Sequence, residues 1–262
     1  MLKNIYAPLS GGVAQERVLE ILSNNLANSN TTGFKEEQVT FKAMNANPWP
    51  SYSTALPPAQ FKLDMRDLHP LHGNEMGYVA ISDVQTSHIQ GGLNRTGNPL
   101  DVAIQGDGFF AVQTPFGERF TRDGSFSLTP EGMLVTKNGA AVMGENGSIT
   151  GLKEGDVKIL NTGEVYVGDR YLDKIKTVSF DDKKLLQKLG DNYFIHDGPP
   201  TNIIAAKGDV SQGYLENSNV NPMRNLTNMI VAHRTYEALQ KAVKAHDDTL
   251  QLSSTKVGEV GG

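Results

Sequence analysis

The C-terminal stretch from Asn219 to Leu252 constrains this chain most. After Pro222 there is neither proline nor glycine until Gly258. Pro222 suits a first helical turn, where its missing N–H is not needed. Taken every third then fourth residue, the stretch reads Leu226, Met229, His233, Tyr236, Gln240, Val243, Asp247, Leu250. One heptad column (Met229, Tyr236, Val243, Leu250) is apolar throughout, and the other runs Leu, His, Gln, Asp. Ile230 and Leu239 widen the stripe. A helix of roughly 30 residues is about 45 Å long. A half-apolar seam of that length asks for partner helices. The alternative is a helix lying across its own domain.

Residues 2–28 predict a second helical stretch. Ile5, Leu9 and Val13 make one apolar line, and Val18, Leu22 and Leu26 continue it with Ile21 alongside. Pro8 and Gly11-Gly12 predict a short or kinked segment first, then a firm helix from about Val13 to Ala27. Ser23 to Thr32 then holds four Asn, two Ser and two Thr. Asn tolerates the left-handed conformation that closes helix ends, and Gly33 supplies a second free dihedral. So dense a set exceeds what a helix stop needs, and is expected to knit the loop to another helix.

Glu36 to Leu71 reads as irregular, because Asn47-Pro48-Trp49-Pro50 and Leu56-Pro57-Pro58 forbid regular helix. From Tyr78 the pattern becomes short strands separated by turns: Gly106-Asp107-Gly108, Thr114-Pro115-Phe116-Gly117, Asp123-Gly124, Thr129-Pro130-Glu131-Gly132 and Asn138-Gly139. Asn-Gly is the strongest hairpin signal of the set. Further strands are expected at Val157–Ile159, Val165–Val167, Lys176–Phe180 and Tyr193–His196, with a short helix at Lys183–Leu189 and a connector from Gly208 to Leu215. The expectation is an α+β fold. Long N- and C-terminal helices pair as a coiled coil around a central, mainly antiparallel β domain. The division is 1–44 plus 216–262 (helical), 45–77 (extended linker) and 78–215 (β).

Composition narrows the function classes. The 262 residues carry 24 basic and 29 acidic side chains, net −5, with no Lys/Arg run of the kind a nucleic-acid binder concentrates. There is no Cys, so disulfides, zinc thiolates and a cysteine nucleophile are excluded. The broken apolar run at the N-terminus predicts no cleaved signal peptide, and no run reaches the roughly 20 apolar residues of a membrane span.

Catalytic, metal or cofactor chemistry finds no constellation. His69-Pro70-Leu71-His72 with His88 lacks a helix to align the imidazoles and an acidic ligand at fixed spacing. Asp101, Asp107 and Asp123 offer carboxylates, but two of them immediately precede glycine, as turns require. Gly106-x-Gly108 lacks the following helix that cradles phosphate. His233 lies on the helix seam and reads as an interface histidine.

Three motifs carry a family resemblance. Asn24-Asn25-Leu26-Ala27-Asn28 followed by Thr31-Thr32-Gly33-Phe34-Lys35 resembles the N-terminal signature of the bacterial flagellar axial proteins: rod, hook and hook-associated. Gly213-Tyr214-Leu215-Glu216-Asn217-Ser218-Asn219-Val220-Asn221, with Met229-Ile230 and Arg234-x-Tyr236-Glu237, resembles their C-terminal signature. Pro99 to Phe110 and Phe120 to Phe126 resemble the β domain of the rod and hook members. The chain departs from the pattern at His233, Thr235 and Leu239, where the family usually has Gln, Ala and Asn, and residues 150–200 match no part of it. At this length there is room for one β domain, which suits a rod protein rather than a longer hook protein. Gly92 to Ala103 is more similar to proximal than to distal rod subunits.

The resemblance implies a periplasmic rod subunit of the basal body, exported through the flagellar type III gate without a cleaved signal. It would pass peptidoglycan and ring proteins, and its partners would be copies of itself and other rod, hook and export-gate proteins. Its terminal helices would form the inner layer of a tube that transmits torque. The expected assembly interface is Leu22, Asn25, Leu26, Asn28, Thr31, Gly33, Phe34, Leu226, Met229, Ile230, His233, Tyr236, Val243 and Leu250. Rival readings are a distal rod or short hook-like subunit, a cell-wall enzyme and a secreted adhesin-like coiled coil.

Overall fold

A computed structural model describes residues 6–46, 76–152 and 157–259. The Trp49 and proline stretch, His69 and His72 lie outside the described residues. The architecture is α+β, with a helix at each end and an antiparallel β region between. The chain divides into two compact units. One comprises Met1–Ser23, Val39–Val84 and Leu226–Gly262; the other comprises Asn24–Gln38 and Gln85–Asn225.

Helix α1 spans Tyr6–Ala27 without interruption, where the sequence predicts a short or kinked segment before a firm helix from about Val13. Packing overrides propensity here. Helix α2 spans Pro222–Glu259, and a Cβ at Gly11 would stand 3.2 Å from Leu239 Cδ1 of α2. Glycine costs about 1 kcal/mol in a helix interior, and the close approach it permits offsets that. The covered face of α1 also differs from the expected line. Ala14 and Ile21 are buried, whereas Leu9 and Val13 are 51% and 63% exposed. Along α2 the shielded residues are Met229, Ala232, Tyr236, Leu239, Val243, His246 and Leu250, an alternating three-four spacing. The expected apolar column is therefore covered, and its companion is Ala232, Leu239 and His246. Leu226, His233, Gln240 and Asp247 are exposed.

Helix α2 starts where the sequence predicts. Asn221 Oδ1 accepts the Arg224 N–H at 3.1 Å, an N-cap bond, and Pro222 opens the helix.

Strand β1 (Glu37–Ala46) pairs with β2 (Met76–Thr86), so ten residues of the segment from Glu36, expected to be irregular with a few strand-like pieces, form a regular strand. Next come β3 (Leu93–Arg95), β4 (Val102–Gln105), β5 (Phe109–Thr114) and β6 (Gly117–Thr121). Strands β7 (Phe126–Leu128), β8 (Leu134–Thr136), β9 (Ala141–Gly144) and β10 (Gly147–Ser148) follow. Strands β11 (Val157–Ile159), β12 (Glu164–Val167) and β13 (Arg170–Lys174) form a three-stranded sheet. Then come β14 (Thr177–Phe180), β15 (Leu186–Lys188), β16 (Tyr193–His196), β17 (Ile203–Ala205), β18 (Asp209–Gln212) and β19 (Tyr214–Glu216).

The largest sheet runs β15-β16-β6-β5-β9-β8-β7, with β14, β17 and β10 attached. Its centre is β5. Phe110 and Val112 enter one core with Val102, Leu134, Val142 and Ile175; Phe109 and Ala111 enter another with Phe120, Phe180 and Phe194. Successive side chains on a strand point to opposite faces, so the continuous run Phe109-Phe110-Ala111-Val112 is the mark of a strand buried on both. The Asn138-Gly139 hairpin forms as expected between β8 and β9, with Gly139 at φ +80°.

Two expectations fail. Lys183–Leu189 is a single 3-10 turn at Lys183–Leu185, capped by Asp182, that runs straight into β15. Leu186 is buried and pairs with His196 across the ladder, and that pairing outweighs the local helix pattern. The connector from Gly208 is also strand: β18 pairs with β4 and β19 with β3.

Candidate assembly interface and the junction beneath it

The junction grows from three charged residues, one in each signature. Lys35 closes the N-terminal motif, Arg122 sits between β6 and β7, and Glu216 ends β19. The Lys35 ammonium donates to Glu216 Oε1 at 2.5 Å and to the Ile89 carbonyl at 2.8 Å. Arg122 Nη1 donates to Glu216 Oε2 at 3.0 Å, and Nη2 to the Gly106 carbonyl at 2.7 Å. The Gly91 N–H adds a bond to Glu216 Oε1 at 2.9 Å. The Arg122 guanidinium also faces the Phe109 ring at 5.3 Å. All three side chains are 3% exposed or less. Burial lowers the pKa of Lys35, and the Glu216 carboxylate opposes it. Burial likewise lowers that of Arg122, whose guanidinium stays charged. One carboxylate thus holds together segments 94 and 181 residues apart.

A second tier fixes the asparagine-rich loop. Asn25 is buried and grips Glu37 in both directions: its Nδ2 donates to the Glu37 carbonyl at 2.8 Å, and its Oδ1 accepts the Glu37 N–H at 3.0 Å. Asn28 Nδ2 donates to the Asn24 carbonyl, and Thr31 Oγ1 to Asn28 Oδ1. Thr32 Oγ1 donates to Asp123 at 2.8 Å, and Asn192 Nδ2 to the Thr32 carbonyl at 3.0 Å. The Gly33 N–H donates to the Glu216 carbonyl at 2.8 Å. Phe34 is buried beneath the Lys188 ammonium, 3.5 Å from its ring centre. Lys188 also pairs with Glu37 at 3.1 Å.

The loop is therefore knitted chiefly to the β body, not to a helix as expected. Its tie to α2 runs through Glu36, which accepts from Arg224 at 2.8 Å and Asn225 at 3.0 Å. Burial raises the Glu36 pKa, but those bonds prevail and hold its carboxyl below the usual range.

His88 sits beside this junction, between Phe109 and Phe194 at 5.7 and 5.5 Å. Its Nδ1 is buried without a hydrogen-bond partner. Desolvation, reinforced by Lys35, Lys183 and Arg122, lowers its pKa to about 4, against a backbone bond at Lys183 that raises it. The unfolded imidazole takes up a proton near pH 6.5, whereas the folded one resists until about 4. Stability is therefore full above pH 6.5 and is lost as pH falls toward 4, by about 2–3 kcal/mol. His88→Phe should flatten the pH dependence of the unfolding midpoint between pH 7 and 4. An unchanged slope in that variant would remove His88 as its source.

The sequence-predicted residues fall into two groups. Asn25, Asn28, Thr31, Gly33 and Phe34 belong to the loop tier, with Leu22 and Leu26 half-buried on α1. On α2, Met229, Tyr236, Val243 and Leu250 are half-buried, while Leu226, Ile230 and His233 are exposed. The carboxylates weighed for chemistry are engaged: Asp101 accepts from Asn98, Asp107 pairs with Lys183, and Asp123 binds Thr32 and Ser125. Sequence reasoning missed Lys35, Arg122 and Glu216 as a set. A signal was available for Lys35 and Glu216, each the single charge of its motif, whereas Arg122 stands beside Asp123.

A β body locked by its own signatures, with helical ends that leave apolar side chains exposed, defines a structural assembly subunit. Three family models match the chain in order: "Flagella basal body rod protein" over residues 5–35, "Flagellar hook protein FlgE/F/G D1 domain" over residues 103–167, and "Flagellar basal body rod FlgEFG protein C-terminal" over residues 211–255. The chain is 34% identical to the flagellar basal-body rod protein FlgF of Caulobacter vibrioides, covering 98% of this chain and 97% of that one. It is 32% identical to the rod protein FlgG of Buchnera aphidicola subsp. Acyrthosiphon pisum (97% and 99% covered) and 30% to FlgG of Bacillus subtilis (96% and 97%). The chain belongs to the flagellar basal-body rod protein family and is a structural subunit of that rod.

Proposed function

We propose that the terminal helices pair as a coiled coil and act, as segments 1–44 and 216–262, as the assembling domain of the rod, with 78–215 as its outer body and 45–77 as an extended linker. The observation that carries this is the three-four spacing of shielded residues on α2, matched by the Gly11–Leu239 contact with α1. One face of α2 serves the chain's own helix. The exposed column of Leu226, His233, Gln240 and Asp247 remains for neighbours, and its polar members set register at some cost in stability. Heterologous contacts that do not close build open filaments, the geometry a drive shaft requires.

The fourteen interface residues named from the sequence divide accordingly. The loop group ties the segment that follows α1 to the β body, and the α2 group forms the seam and its flank. Partners are further copies and other rod, hook and export-gate proteins. The subunit leaves by the flagellar export route without a cleaved signal and works in the periplasm, in contact with peptidoglycan and ring proteins. We read it as a subunit with no catalytic role and no cofactor or metal; the engagement of Asp101, Asp107 and Asp123 in structural bonds supports this. The proximal rod position rests on Gly92 to Ala103.

Met229→Asp places a carboxylate in the half-buried seam. The variant should fold its β body normally, by circular dichroism, and fail to restore motility to a deletion strain. Normal swimming would remove the seam from the reading.

A further inference from the structure

Beside the Gly11–Leu239 contact, α1 and α2 leave a groove of about 490 Å³. Leu9, Val13 and Val243 supply its apolar walls, and Glu16 and Asp247 stand among its polar lining. Its floor is open at Gly12, where an added Cβ would meet nothing within 4 Å. Nearer the start of α2, Leu226 and Ile230 are 40% and 56% exposed and one turn apart. Two residues at i and i+4 make a ridge, and Leu9 and Val13 repeat that spacing on the groove. The ridge cannot fill its own groove. Ile230 and Val243 lie 13 residues apart on one helix, about 20 Å along its axis.

We propose that the groove receives the Leu226–Ile230 ridge of a second copy of this chain. Charge favours one direction. Arg234 follows Ile230 by one turn and comes to lie against a groove whose charged lining is Glu16, Asp247 and Lys244, two carboxylates against one ammonium. Each copy donates a ridge and accepts one at a different height, so the contact is head-to-tail and does not close. This deepens the rod-subunit reading and rests on it.

The chain has no cysteine, so single-cysteine variants test the contact without background. A deletion strain is complemented with two differently tagged copies, Ile230→Cys and Val13→Cys, and motile cells are oxidised. The mixed disulfide dimer should exceed that from Val231→Cys with Val13→Cys about tenfold, because Val231 points about 100° away around the helix. If either variant fails to restore swimming, the pair moves one turn, to Leu226→Cys and Leu9→Cys. Equal yields for the 230 and 231 pairs in motile cells, no mixed dimer, or a dominant 230–230 dimer would overturn the contact while leaving the rod reading intact. Failure of the unaltered chain to restore swimming would instead count against the rod reading itself.

Discussion

Glu216→Gln will be among the most destabilising single changes in this chain. It removes the one carboxylate between two cations that are 3% exposed or less. Breaking a buried ion pair costs about 3–5 kcal/mol, because the orphaned charge stays desolvated. For a chain of this size that lowers the thermal midpoint by about 10 °C. The penalty should shrink as pH rises. Lys35, already lowered by burial, would lose its counter-charge and shed its proton in the folded state well before the unfolded state does. In that window the unfolded chain binds more protons, so stability rises with pH. A triple replacement of Lys35, Arg122 and Glu216 by Met or Leu should recover much of the loss, since no charge is then stranded. Thermal melts across pH, with the corresponding mutant cycle, measure both effects. A Glu216→Gln midpoint within about 1 °C of the parent would mean the junction is not what locks the three signatures.

Gly33→Ala is expected to approach the same scale for a different reason. Gly33 sits at φ +67°, and an added Cβ would fall 2.4 Å from the Asp123 nitrogen and 2.5 Å from the Arg122 carbonyl carbon. These atoms belong to the single Arg122–Asp123 peptide unit, so no flexible side chain is there to move. Left-handed strain of about 1–2 kcal/mol adds to an overpacking cost of about 1–3 kcal/mol. Gly97 provides the control: its φ is +77°, but a Cβ there meets nothing within 4 Å. Gly97→Ala should therefore cost only the dihedral part, about 1–2 kcal/mol. Urea unfolding of the two variants separates close approach from backbone strain. Equal losses would show that the loop does not depend on contact with the Arg122–Asp123 turn.

Much of the fold could be read from local pattern. The absence of helix breakers after Pro222, the helix start at Pro222 and the Asn138-Gly139 turn each act over a few residues, and each stands where the sequence places it. Lys183–Leu189 failed because the burial of Leu186 against a distant strand outweighs a weak local propensity. A separate short segment before Val13 failed for a related reason: a missing side chain that weakens an isolated helix is what lets Leu239 of the other helix come close.

The candidate site was legible to the same depth. The density of amides at Asn24–Asn30 announced a loop built for hydrogen bonding, but not that Asn25 would grip Glu37 or that Thr32 would reach Asp123. Those partners are chosen by three-dimensional proximity, which carries no local signature.

By itself the sequence determined the two terminal helices, most of the central strands and turns, and the family. Dihedral preference, apolar spacing and motif order are properties of neighbouring residues. Only the tertiary structure decided which face of α2 is shielded, which residues of α1 are buried, and that Lys35 and Arg122 converge on the buried Glu216 carboxylate. Burial and ion pairing between residues up to 188 positions apart depend on how distant segments pack. The energy of a desolvated charge is settled by whatever stands beside it in space.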